Sequence, residues 1–209
     1  MAIMKVNPTR MELRRLKTRL KTATRGHKLL KDKSDEMIRR FMEYVKLNKS
    51  LREEVEAELV QSLKGFTVAK ALMDDMTLNT ALSVPGVRFG VDVSTQNIMS
   101  VEVPVLKVKK EGGESFPYSF ASVTSAMDTS IATVTGLLGK LLKLAEVEKT
   151  CNMLADEIEK NRRRVNALEY VMIPQLQETI KYITMKLDEN ERGNLTRLMK
   201  VKSMIEERQ

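Results

Sequence analysis

The stretch LAEVEKTCNMLADEIEKNRRRVNALEYVMIPQLQETIKYITMKL, residues 144–187, decides the fold. Leu144, Cys151, Leu154, Ile158, Asn161, Val165, Leu168 and Met172 step by threes and fours, apart from one longer step across Val147 and Glu148. Leu176, Ile180, Ile183 and Leu187 continue the series, then Leu198 and Ile205. That alternation is the heptad signature of a left-handed coiled coil. Pro174 stands inside it. An interior proline loses one backbone hydrogen bond, and its ring presses on the carbonyl four residues back, here Tyr170, at a cost of ~3 kcal/mol or more. Leu168, Met172, Leu176 and Ile180 run in fours, a stutter that locally unwinds such a coil. The spacing therefore predicts an irregularity at Pro174, where the helix bends or changes register.

The opposite end carries a matching seam. NPTRMELRRLKTRL, residues 7–20, opens with Asn7 as a cap, Pro8 at a first helical position where its missing N–H is harmless, and Glu12 as early negative charge. Leu13, Leu16, Leu20, Ala23, His27, Leu30, Ser34, Met37, Phe41 and Tyr44 then alternate three and four, and Asn48, Leu51 and Val55 extend the run. No proline interrupts between Pro8 and Pro85. Gly26 and Gly65 each cost roughly 1 kcal/mol relative to Ala, which a long helix absorbs. Two such helices on one chain fold back on each other. The expected fold is mainly α: a long antiparallel two-helix coiled coil with both termini at one tip, plus a small middle region.

In that middle the period changes. VPGVRFGVDVS places Val87, Phe89, Val91 and Val93 at alternate positions, and NIMSVEVPVLKVKK does the same with Val101, Val103 and Val105. β-Branched residues at period two predict a hairpin of two short strands, about 87–93 and 101–108, joined through the polar STQN segment at 94–97. Pro104 points to an edge or a bulge. EGGES, residues 111–115, and FPYSF, residues 116–120, read as turn and loop. The expected divisions are 1–78 for the first helix, 79–120 for the hairpin-bearing middle and 121–209 for the second helix.

Composition agrees with a thin helical assembly. Aromatic residues make up only 4% of the chain and charged residues 31%, a poor recipe for a compact sphere whose core needs large rings. Fourteen methionines suit an aliphatic seam, since Met fills irregular gaps. The net charge of +8 is uneven: the first 33 residues hold eleven Lys or Arg against Glu12 and Asp32. A basic end suggests an acidic partner. The single cysteine, Cys151, excludes an internal disulfide and fits a reducing compartment. No apolar run approaches the ~18 residues of a membrane span, and the start lacks the apolar core of a secretion signal. A cytoplasmic, soluble protein is expected.

The residues offer no active site. His27 is the only histidine, so no catalytic triad and no histidine metal cluster can form. It lies on the seam, as does Cys151, and both read as packed interface residues. GLLGK, residues 136–140, fails as a phosphate loop, because two residues rather than four separate its first glycine from the Gly-Lys pair and Leu141 follows the lysine. Asp74/Asp75 and Glu189/Glu191 read as solvent-facing carboxylates without accompanying ligands. No cofactor is expected. Two binding readings remain: a basic coiled-coil adaptor for nucleic acid, or a mechanical or scaffolding element whose basic tip enters another protein. Nucleic-acid binders usually add stacking aromatics, and none precedes Phe41.

Two blocks narrow the choice. NPTRMELRRLKTRLKTATRGHKLLKDKSDE, residues 7–36, and LLKLAEVEKTCNMLADEIEKNRRRVNALEYVMIPQLQETIKYITMKLDENER, residues 141–192, continuing into RLMKVK at 197–202, together resemble the D subunit of the V-type (V/A-type) rotary ATPases, the central rotor shaft. RRVNALE followed by IP and TI is the most specific element, with NPTR and GHKLLK at the other end. The likeness covers both helices, over half the chain. Residues 76–120 are similar in layout alone, with IMSVEVP the most family-like piece, and Met199 stands where family members often carry Lys.

The resemblance implies a non-catalytic component, peripheral to the membrane, that transmits torque between nucleotide turnover and proton or sodium flow. Its tip, made of both chain ends, is expected inside a ring of catalytic A and regulatory B subunits. Its other end is expected on the funnel-shaped subunit above the membrane rotor ring, with the small F subunit alongside. The cations Arg10, Arg14, Arg15, Lys17, Arg19, Lys21 and Arg25, with Arg162, Arg163 and Arg164, are the candidate ring contacts. Val87, Phe89, Val91, Val101, Val103 and Val105 are the candidate docking residues for the F subunit or the funnel subunit.

Overall fold

The computed structural model describes residues 4–83, 86–111, 118–119 and 123–207. Helix α1 runs Arg10–Leu72 and α2 Asp75–Ser83; strands β1, Arg88–Ile98, and β2, Val101–Glu111, follow, then α3, Ser125–Ala167. A π-helical turn at Leu168–Met172 leads directly into α4, Ile173–Glu206. The chain is thus mainly α, with a long first helix, a long C-terminal helix and an antiparallel hairpin in its middle, as expected from its periodicity. It divides into two compact units, Met1–Glu36 with Ile158–Gln209, and Met37–Glu157.

In the first unit the start of α1 packs antiparallel on the end of α3, the π turn and α4. Contacts descend on one side as they climb on the other, from Arg10–Glu191 to His27–Glu169. Leu16, Leu176 and Ile183 are buried between them, with Leu13, Leu20, Ala23, Ile180 and Leu187 around. These are the seam residues that heptad spacing singled out. The cap is Thr9 rather than Asn7: the Glu12 N–H donates to Thr9 Oγ1 at 3.2 Å. Thr9 and Glu12 have the spacing of a capping box, in which a hydroxyl serves an orphan amide at the helix start. Residues 4–8 double back along the pair. Met4 packs on the Leu16 cluster and donates its backbone N–H to Thr179 Oγ1 at 3.2 Å.

The π turn changes the register of the seam. The Ile173 N–H bonds to the Leu168 carbonyl five residues back, so one extra residue sits in that turn. Met172, expected on the seam, is consequently 38% exposed. Ile173 turns inward in its place, and the seam reads Leu168, Ile173, Leu176. Pro174 falls in the first turn of α4. Its missing N–H lies where the ladder is already interrupted, which spares much of the usual interior penalty.

In the second unit α1 and α3 again run antiparallel, joined by Arg52–Glu148 and Glu58–Lys140 and by the Ser62 hydroxyl, which donates to the Ser130 carbonyl at 3.1 Å. A Cβ on Gly65 would lie 2.5 Å from Ser130 Oγ, so this glycine permits a close helix approach. Further along, Ala69, Leu78, Ala81 and Met127 form a buried cluster from α1, α2 and α3. Helix α1 ends at Leu72, short of the expected boundary at 78, and α2 begins after Asp74. Adjacent carboxylates at Asp74 and Asp75 oppose the dipole at a helix C-terminus and favour a new N-terminus.

The hairpin differs from expectation in its turn. STQN lies within β1, and the two-residue turn is Met99–Ser100, with φ of 53° and 73°. Positive φ at both central residues is the type I′ geometry that matches strand twist. Asn97 Oδ1 accepts the Ser100 N–H at 2.9 Å and holds the turn without glycine. Ile98 therefore faces Val101 in a hydrogen-bonded pair, and by alternation Thr95 opposite Pro104 is a non-hydrogen-bonded pair. Pro104 loses no ladder bond there. The predicted loops EGGES and FPYSF lie outside the described residues, save Glu111, Tyr118 and Ser119. The Tyr118 hydroxyl donates to Asp128 Oδ1 at 2.7 Å.

Candidate functional site

Among the described residues no group of three or more His, Cys, Asp or Glu is placed to hold a metal ion, and no helix is long and apolar enough to cross a membrane. Cys151 is buried, and burial, helped by the charge of Glu148, pushes its thiol up from its ordinary range. His27 is half-buried and donates from Nε2 to Glu169 Oε2 at 3.3 Å. Of the carboxylate pair at 189 and 191, Glu189 is tied to Lys186 and Glu191 to Arg10. Three kinds of exposed surface are candidates for contact with other proteins.

The first is cationic. Arg10, Arg14, Arg15, Lys17, Arg19, Lys21 and Arg25 are all exposed on α1. With 3.6 residues per turn, Arg10, Arg14, Lys17, Lys21 and Arg25 fall on one stripe, and Lys28 continues it. Arg15 and Arg19 lie off that stripe, and Arg15 leans on Glu12 at 3.8 Å. On the returning helix Arg163 pairs with Glu159, and Arg164 donates to Asn161 Oδ1 at 3.4 Å. The His27–Glu169 contact sets Arg162, Arg163 and Arg164 beyond the end of the stripe. The two cationic groups are therefore successive along the helix pair, not one cluster.

The second is the hairpin. Cross-strand partners share a face, so Val91 opposite Val108 and Val93 opposite Leu106 lie on one side, with Phe89. Val101, Val103 and Val105 face Ile98, Gln96 and Ser94 on the other. Val101 and Val103 are buried within the chain, whereas Val93 is 66% exposed. Val87 precedes the strand. The six candidate docking residues thus do not form one surface; Val91 and Val93, joined by Val108, do.

The third is apolar and helical. In the second unit Leu63, Phe66, Leu82, Ile131 and Val134 line an open groove of about 330 Å³. In the first unit α4 continues past Glu191, the partner of Arg10 at the start of α1. Leu198 and Ile205, expected on the seam, are 66% and 57% exposed, with Leu195, Met199, Val201 and Met204 also exposed. The reason is geometric: α1 begins at Arg10, so among the described residues no helix accompanies the last part of α4. Periodicity continued into that segment, and sequence alone could not show where the partner stops.

Comparison with known proteins gives a consistent result. A family model for the ATP synthase D subunit matches residues 12–203. The chain is 56% identical over 206 residues to the V-type ATP synthase D subunit of Thermoanaerobacter sp. (strain X514), covering 98% of this chain and 99% of that one. It is 59% identical over 208 residues to the V-type ATP synthase D subunit of Acetivibrio thermocellus, covering 98% and 94%. It is 56% identical over 213 residues to that of Clostridium novyi (strain NT), covering 100% and 99%.

Proposed function

Because the chain belongs to the ATP synthase D-subunit family, we propose that it is the central-stalk rotor component of a V-type ATPase. In this role it makes and breaks no bonds. It transmits torque between ATP turnover in a head of catalytic A and regulatory B subunits and proton or sodium transport through a membrane ring. It works at the membrane periphery on the cytoplasmic side. The F subunit and the funnel-shaped subunit over the membrane ring are its further partners, and the Val91–Val93–Val108 face is a candidate seat for one of them.

The observation that carries this reading is the unaccompanied end of α4. Its apolar residues point in several directions, and Arg192, Arg197, Lys200 and Lys202 outnumber Glu206. A helix apolar on most sides is normally enclosed. An encircling partner fits such a helix better than a flat groove does. The cationic stripe on α1 supports the same arrangement. Exposed ion pairs are worth only ~0–1 kcal/mol each, a strength suited to contacts remade at every step. The π turn before Pro174 supports an irregular shaft that presents different faces to similar sites.

The test is reconstitution. The full chain is mixed with the F subunit and with a ring of A and B subunits assembled beforehand. A stoichiometric complex with both, and charge reversal at Arg14, Arg15 and Arg19 weakening ring insertion in a salt-dependent way, is the expected result. Salt-sensitive binding of DNA or RNA with no ring insertion would instead support a nucleic-acid adaptor.

A further inference from the structure

The π turn leaves a surface that the packing of the chain does not explain. Glu169, Tyr170, Val171 and Met172 are consecutive exposed residues, and the turn buries none of its members. In a regular amphipathic helix four consecutive positions sweep most of the circumference, so at least one faces the partner helix. Here the extra residue in the turn moves Met172 off the seam and delivers Ile173 in its place. Tyr170 is 63% exposed and Val171 60%, so with Met172 three large side chains fan out over the half of the helix turned away from its partner. π Turns are disfavoured and recur where a site needs them.

The surroundings of this knuckle are basic. Arg162, Arg163, Arg164 and Lys181 flank it along its own helices, against Glu169, Glu178 and Glu159, the last paired with Arg163. Glu169 is directed to His27. That contact also brings Arg25, Lys28 and Lys31 of α1 to the same level along the pair. An apolar centre inside a cationic rim is complementary to an apolar socket rimmed with carboxylates.

We infer that Tyr170, Val171 and Met172 form a docking knuckle for an apolar, acid-rimmed socket on the ring of A and B subunits, an inference that rests on the rotor reading above. Pro174 and the π turn have a defined task in this arrangement. They rotate Met172 out of the seam so that the knuckle is complete, and they restore the seam at Leu176.

Ring binding by three versions of the full chain tests this. The combined change Tyr170→Ser, Val171→Ser and Met172→Ser removes the knuckle at exposed positions, so helicity and thermal stability are expected to stay near the wild type. Its affinity for the preassembled ring is expected to fall on the order of 100-fold, with unchanged salt dependence. Tyr170→Phe with Val171→Ile and Met172→Leu is expected to bind normally. Arg162→Glu with Lys181→Glu is expected to weaken binding and flatten its salt dependence. Wild-type affinity in the serine variant overturns the knuckle while leaving the rotor role intact. If the wild-type chain itself does not bind the ring, the rotor reading fails and the socket with it.

Discussion

The backbone N–H of Leu106 donates to Glu146 Oε2 at 2.8 Å, and this one contact closes part of an otherwise open strand edge. The two-residue turn places Leu106 in a non-hydrogen-bonded pair, so its N–H points away from β1. Pro104, two residues earlier on the same edge, has no N–H to offer. The outer edge of β2 is therefore blocked twice, by a proline and by a carboxylate from α3, two devices that discourage unwanted strand pairing. Hydrogen bonds to charged groups contribute ~1.5–3 kcal/mol. Glu146→Ala is expected to speed hydrogen exchange at the Leu106 amide by on the order of 10-fold or more, measured by NMR, while the amides at Val103 and Val105 change little. Equal acceleration along the whole strand would mean that Glu146 supports the hairpin generally and does not cap that amide.

Thr179 is fully buried and serves two groups. Its hydroxyl donates to the Gln175 carbonyl at 2.7 Å and accepts the Met4 N–H at 3.2 Å. Thr179→Val keeps the volume and removes the acceptor, leaving the Met4 amide part-buried without its partner. The expected loss is about 1–2 kcal/mol in denaturant unfolding. Thr179→Ser retains the oxygen and gives up one methyl, so it should lose less. If both substitutions have the same effect, the hydroxyl is not what fastens residues 4–9 to the helix pair.

The burial of Leu16, Leu154, Leu176 and Ile183 was legible from heptad spacing, because a repeat near 3.5 residues leaves few faces to choose from. The β-hairpin was legible from its valines, and Pro174 marked the right neighbourhood for an irregularity. What escaped was geometry that depends on counting single residues. Nothing in LEYVM announces a π turn, so heptad spacing assigns Met172 to the seam and leaves Ile173 off it. Met99–Ser100 lacks the Asn-Gly signature of a tight turn, and alternation within each strand does not show which valines share a face; the register puts Val91 and Val93 on one side and Val101, Val103 and Val105 on the other. The cationic residues were identifiable by type. Their division into a stripe and a separate group needed the antiparallel alignment.

Two acids in the second unit are expected to make its stability fall in alkali. Burial foremost, then the hydrogen bond to Asp128 and its charge, holds the Tyr118 phenol well above its ordinary value of 10.0. Burial, then the charge of Glu148, raises the Cys151 thiol above 9.0. A raised folded-state pKa means that the native state keeps protons the unfolded chain gives up. That stability is fully present below the unfolded values and drains away as pH climbs from about 9 towards the folded values. Denaturant midpoints measured between pH 7 and 11 should therefore decline. Tyr118→Phe with Cys151→Ser should lower stability at pH 7, where the phenol's hydrogen bond is lost, yet flatten the alkaline slope. An unchanged slope would assign the decline to other groups.

Gly65 and Gly26 look alike in sequence and are expected to respond differently to a methyl group. Both sit inside α1, where Ala is better than Gly by ~1 kcal/mol. Around Gly26 a new Cβ would meet nothing within 4 Å, so Gly26→Ala should stabilise by close to that amount. At Gly65 the Cβ would press on Ser130 Oγ, which donates to the Ala126 carbonyl at 2.8 Å. The serine can rotate away, but only by giving up that bond, worth about 0.5–1.5 kcal/mol. The two effects are of similar size, so Gly65→Ala should be close to neutral. Adding Ser130→Ala removes the obstruction, and the pair should show favourable coupling on the order of 1 kcal/mol in a double-mutant cycle. If Gly65→Ala stabilises as much as Gly26→Ala, the helices have room to spare at that crossing and the glycine there is incidental.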